Sequence, residues 1–166
     1  MKRLILIVAA MFGSLFSGCG SPAPKFVEGT PTGYLYSYSG MMAYPIEWYC
    51  VEKSEDGELH LLYSNGGPDI SVYQAPSDLL ERIGAMVREH KLYKLESSYH
   101  PPMQVMDGYM WHIAIEYEKD GIWSGGSNAR PPKELSAGIA AINSYLKGFI
   151  DSGEPVGQDS HMNRRP

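Results

Sequence analysis

Residues 109–118 read Tyr109-Met110-Trp111-His112-Ile113-Ala114-Ile115-Glu116-Tyr117-Glu118. Successive side chains of a β-strand point to opposite faces. Trp111, Ile113, Ile115 and Tyr117 therefore share one face, and Met110, His112, Ala114, Glu116 and Glu118 share the other. One apolar and one polar face is the pattern of an antiparallel sheet covered on one side and wet on the other. Lys119-Asp120-Gly121 turns this strand back into Ile122–Ser124. Upstream, Tyr34, Tyr36 and Tyr38 alternate with Leu35 and Ser37. The run 46–53 is β-branched and aromatic, and the Asp56-Gly57 turn returns it through Leu59–Tyr63. Asn65-Gly66-Gly67-Pro68 makes a further turn into Ile70–Tyr73.

Two segments switch to the helical period. Pro76 and Ser77 open the first, where Leu79, Leu80, Ile83, Met86 and Val87 fall on one face. The second runs from about Pro132 to Ile150, with Leu135, Ile139, Ile142, Leu146 and Phe149 stepping by four and three. Pro132 suits its first turn and Glu134 suits the positive end of its dipole. The expected fold class is α+β, a twisted antiparallel β-sheet with two helices packed on one face.

The chain ends differ from this middle. Lys2 and Arg3 precede 13 uncharged residues, Leu4 to Phe16. That is too short for a membrane span, which needs about 20 apolar residues, and is the length of a signal-peptide core. Phe16-Ser17-Gly18-Cys19 follows. This segment resembles the lipobox of bacterial lipoproteins, matching at Ser17, Gly18 and Cys19 with Phe16 in place of leucine. The resemblance implies cleavage before Cys19, lipid on its thiol, and a membrane partner reached through that lipid. It also implies the cell envelope: the outer membrane if the host has one, since Gly20 is not an inner-membrane aspartate, and otherwise the outer face of the cell membrane.

The expected organisation is a signal peptide at 1–18, a lipidated cysteine and tether at 19–32, a globular domain at 33–150 and a disordered tail at 151–166. The tether is rich in Pro, Gly and Thr and reaches at most about 40–45 Å. The tail has only Val156 and Met162 as larger apolar residues and too little to bury.

Lys2 and Arg3 leave with the signal, so 14 basic residues become 12 against 19 acidic ones, and the net charge moves from −5 to −7. An acidic domain does not neutralise phosphates, which excludes nucleic acid as a partner. With Cys19 lipidated, Cys50 has no partner within the chain. Its apolar strand setting reads as a buried, inert thiol.

Residues 107–146 carry a second resemblance. Asp107-Gly108-Tyr109, the strand and turn, then Ser124–Ala129, Pro131 and a closing helix resemble small uncharacterised bacterial envelope proteins. No activity comes with that likeness.

Chemistry-bearing patterns are sparse. Ser124, Gly125, Gly126, Ser127 and Asn128 join a strand to a helix beside Arg130, and form a candidate ligand or anion loop. They match neither a dinucleotide fingerprint nor a P-loop. Ser127 loosely echoes a nucleophile elbow, and Ser144-x-x-Lys147 echoes a penicillin-recognising serine without its companion motifs. His112 and Glu116 lie about 13 Å apart on a strand, too far to share a metal. Tyr34, Tyr36 and Tyr38 form a candidate aromatic strip, either core packing or a platform for a sugar or peptide.

Two function classes remain. One is a non-catalytic envelope module binding a glycan, peptide or envelope protein, with no catalytic residue, cofactor or metal. The alternative is a small envelope hydrolase or amidase using Ser127 or Cys50 with a histidine such as His112.

Overall fold

The computed structural model describes residues 28–40, 44–54, 56–103 and 108–164. Cys19, the signal segment and most of the tether lie outside these described residues.

The first four strands, β1 (Gly33–Ser39), β2 (Glu47–Lys53), β3 (Leu59–Ser64) and β4 (Asp69–Gln74), form an antiparallel meander. Helix α1 (Leu79–Glu89) then crosses to β5 (Met110–Glu116), which pairs with β1, and β6 (Gly121–Ser127) closes that edge. Helix α2 (Lys133–Ser152) carries the chain back to the far edge, where β7 (Gly157–Ser160) pairs with β4. The sheet order is β6-β5-β1-β2-β3-β4-β7, antiparallel throughout. The chain is thus α+β, with both helices sharing one core with the sheet's inner face.

The strand at 110–116 buries Trp111, Ile113 and Ile115 and leaves Met110, His112 and Glu116 exposed. Tyr34, Val51 and Leu61 lie beside these on the inner face, against Leu79, Ile83 and Val87 of α1 and Ile139, Ile142 and Leu146 of α2. Each such side chain, taken out of water, contributes about 1.5–3 kcal/mol. Ile150 is buried where Phe149 was expected to end the stripe, and Phe149 packs half-buried beside it.

One hydrogen bond ties α2 to the sheet inside this core. The Tyr34 hydroxyl donates to Asn143 Oδ1 at 2.6 Å, with both residues buried. Both residues are buried, so a group that lost this partner would be left without the bond that satisfies it.

The start of the domain differs from expectation. Pro31 is buried against Gly84 of α1, and Thr32 N donates to Glu116 O at 2.7 Å, so the domain begins before residue 33.

The tail read as disordered is a further correction. Residues 157–160 add a strand to β4, and Val156 N and His161 N donate to Val72 O and Pro68 O. Arg164 grips both oxygens of Glu52 at 2.8 and 3.0 Å and Asp159 at 2.7 Å. The His161 ring lies edge-on to Trp48, 5.1 Å between centroids. Trp48 belongs to a small outer-face cluster with Cys50, Leu62 and Ile70. The tail stays ordered through backbone pairing and charge, which apolar content does not register.

Candidate functional site

A groove of about 470 Å³ runs between α2 and the inner face of the sheet. Its floor is aromatic: Tyr36 and Tyr38 from β1, Tyr49 from β2, Trp111 from β5, and Tyr109 just before it. The pairing register explains the grouping. Tyr36 stands opposite Tyr49 and Ile113, and Tyr38 stands opposite Glu47 and Trp111, all on one face. Ring centroids lie 6.4 Å apart for Tyr36 and Tyr49, and 5.7 Å apart for Tyr38 and Tyr109.

The roof is a stripe of α2: Ser136, Ile139, Ala140, Asn143, Ser144, Lys147, Gly148 and Asp151. Ser136, Ala140, Ser144 and Gly148 are four residues apart, so they form one ridge of the helix. All four are small, and the ridge cannot fill the space above the tyrosines.

Charges of both signs line the groove. Tyr49 donates from its hydroxyl to Glu47 at 2.7 Å. Burial, and then that bond, push the Tyr49 phenol well above its ordinary range. Burial and the Glu47 charge push the Tyr36 phenol up to about 12, with Arg130 pulling the other way. Both phenols are therefore neutral donors at physiological pH. Arg130 stacks over the Tyr109 ring at 5.4 Å. Lys147 pairs with Asp151 one turn on and lies 6.0 Å from the Tyr63 ring.

The aromatic strip thus divides. Tyr34 is core, while Tyr36 and Tyr38 are half-buried and face the groove.

The Gly-rich stretch is not a loop. Ser124, Gly125, Gly126 and Ser127 are the second half of β6, paired with β5. Ser124 is buried and donates to Glu96 O at 2.6 Å. Ser127 N and Asn128 N donate to Tyr99 O and Tyr109 O, so they offer nothing to an anion. The glycines serve close approach: a Cβ on Gly126 would sit 2.6 Å from both Trp111 Nε1 and Ala129 O. Of that candidate set, Arg130 alone lines the groove.

No family model matches the chain, and no curated protein matches it in sequence.

The residues considered for nucleophilic chemistry are dispersed. Cys50 is buried on the outer face, donates to Glu52 at 3.5 Å, and burial pushes its thiol up to about 12. Ser127 and His112 share the outer face as diagonal neighbours; among the described residues no hydrogen bond joins them. Ser144 and Lys147 both line the groove, but the ion pair to Asp151 raises the Lys147 pKa. A protonated ammonium cannot take a proton from serine. Among the described residues no group of three or more His, Cys, Asp or Glu side chains could hold a metal, and no helix is long and apolar enough to cross a membrane.

Glu47, Asn143 and Asp151 complete the site without having been singled out. For the α2 residues one signal lay in the chain: a polar and small-residue stripe on α2 beside its apolar stripe.

Proposed function

We propose that this chain is a lipid-anchored bacterial envelope protein whose domain binds a ligand in the groove under α2 without transforming it. The observation that carries the reading is the groove itself, an aromatic floor under a helix ridge of small residues. Its volume lies within the roughly 300–1,000 Å³ of small-ligand sites. Neutral phenols and flat ring faces, with a few charges at the margins, suit a glycan or a peptide. The anchor reading rests on Lys2 and Arg3, the uncharged run to Phe16, and Ser17-Gly18-Cys19. With two or more acyl chains, Cys19 would give stable membrane attachment.

The binding test compares thermal denaturation of the full chain, purified in detergent, with cell-wall fragments, sugars and short peptides. A ligand at about 100 times its Kd stabilises the fold by roughly 2.7 kcal/mol. The blocking variant is Gly148→Phe. Gly148 lines the groove and a Cβ there meets nothing within 4 Å, so a bulky side chain has room at the groove's edge without displacing the core. A ligand shift that disappears in Gly148→Phe supports the reading; a shift that survives, or none at all, overturns it. The anchor test is palmitate labelling in cells, which Cys19→Ala should abolish along with membrane association. Undiminished labelling would remove the anchor.

A further inference from the structure

We propose that the groove takes a short peptide with free termini, its carboxylate on Arg130 and its ammonium against Glu47. This rests on the groove being a ligand site and narrows which ligand it takes.

The two charges stand on opposite sides of the aromatic floor. Glu47 is on β2, directly across from Tyr38 of β1. Tyr38 packs on Tyr109, and Arg130 lies over the Tyr109 ring, 5.4 Å from its centroid. From β2 across β1 to β5 is two strand spacings, roughly 10 Å. A tripeptide in extended form spans about that distance, at roughly 3.3–3.6 Å per residue.

Among the described residues, neither charge is neutralised by an opposite one: no cation pairs with Glu47 and no carboxylate pairs with Arg130. Lys147 and Asp151, also in the groove, satisfy each other. Glu47 is held instead by the Tyr49 hydroxyl, which fixes one oxygen; among the described residues no hydrogen bond reaches the other. An anion and a cation with no opposite charge on either among the described residues, separated by rings, complement a ligand that is positive at one end, negative at the other and apolar between. A neutral sugar could hydrogen-bond both groups through its hydroxyls but would neutralise neither charge. A guanidinium meets a terminal carboxylate with two parallel N–H donors, which fixes the ligand's direction.

The test titrates the full chain in detergent with the tripeptide Ala-Leu-Ala, its N-acetyl form and its C-terminal amide. A charge-assisted bond contributes about 1.5–3 kcal/mol, so each cap should weaken binding about tenfold or more. Arg130→Gln should erase the difference between acid and amide while keeping the effect of acetylation. Glu47→Gln, which still accepts from Tyr49, should do the reverse. Equal binding of all three peptides, or no binding into the millimolar range, overturns the peptide inference. The groove reading would still stand if a sugar bound and Gly148→Phe blocked it. Tripeptide binding that Gly148→Phe leaves intact would sink both.

Discussion

Replacing Tyr34 by phenylalanine deletes one oxygen and leaves the ring that packs the core. The Tyr34 hydroxyl donates to Asn143 Oδ1 at 2.6 Å, and the two residues are 2% and 8% exposed. In Tyr34→Phe the Asn143 carbonyl oxygen stays buried without its donor. That costs the group's desolvation, about 1–3 kcal/mol, more than the net worth of the bond itself. For a domain of this size about 4 °C is lost per kcal/mol, so Tm should fall by roughly 4–12 °C. Asn143→Leu, close in shape, should cost a similar amount by orphaning the Tyr34 hydroxyl. The double variant removes both polar groups and should recover about half of the summed loss, a coupling of about 1–3 kcal/mol. Thermal and urea denaturation of the four proteins would measure it. Asn143 also lines the groove, so Tyr34→Phe should weaken ligand binding without touching the ligand. If Tyr34→Phe lies within about 0.3 kcal/mol of the parent, or the single losses simply add, this bond does not seat α2 on the sheet.

Three further outcomes follow from the same contacts. The Cys50 thiol, buried and pushed up to about 12, should resist iodoacetamide in the folded protein and react in urea; fast native labelling would place it elsewhere. Gly126→Ala should destabilise by at least about 1–3 kcal/mol, since its Cβ would strike Trp111 Nε1 and Ala129 O, which are themselves bonded at 2.7 Å. Gly148→Ala should instead stabilise by about 0.5–1 kcal/mol; equal effects of the two would contradict the close approach at β6. Finally, the Arg164 bond holds the Glu52 carboxyl below its usual range, and Ser160 N–H with Arg164 does the same for Asp159. Carboxyls depressed by folding contribute stability above their unfolded values, about 4, and lose it as the pH falls through the folded ones. The stability gap between the parent and Arg164→Ala should thus be largest near neutral pH and close in acid. A gap that stays constant from neutral pH into acid would show that the clamp is not electrostatic.

What was legible in the chain was whatever side-chain hydrophobicity encodes locally. Trp111, Ile113 and Ile115 announce their strand and its buried face, and Leu135, Ile139, Ile142 and Leu146 announce their helix. Gly157–Ser160 announces nothing, because an edge strand of polar residues is held by backbone bonds to β4 and by Arg164 reaching Glu52. Gly125 and Gly126 misled because glycine has two uses. It frees a loop, or it lets another chain segment come close, and here Trp111 and Ala129 come close. Tyr36, Tyr38 and Arg130 stood out individually as binding residues. Their grouping with Glu47 and α2 depends on the register β2-β1-β5, a set of contacts between residues far apart in sequence.

That register also sets where a ligand would lie relative to the anchor. The chain enters the sheet at Gly33, the start of β1, with Pro31 packed on α1. Tyr36 and Tyr38 lie three and five residues further on, about 10 and 17 Å along the strand. The entry point and the groove are therefore at opposite ends of β1. An anchor at Cys19 would pull on the first end and leave the second open. Ligand affinity should then be the same for the membrane-bound chain and for Cys19→Ala in solution. A difference of about tenfold or more would mean that the bilayer, and not the groove alone, takes part in binding.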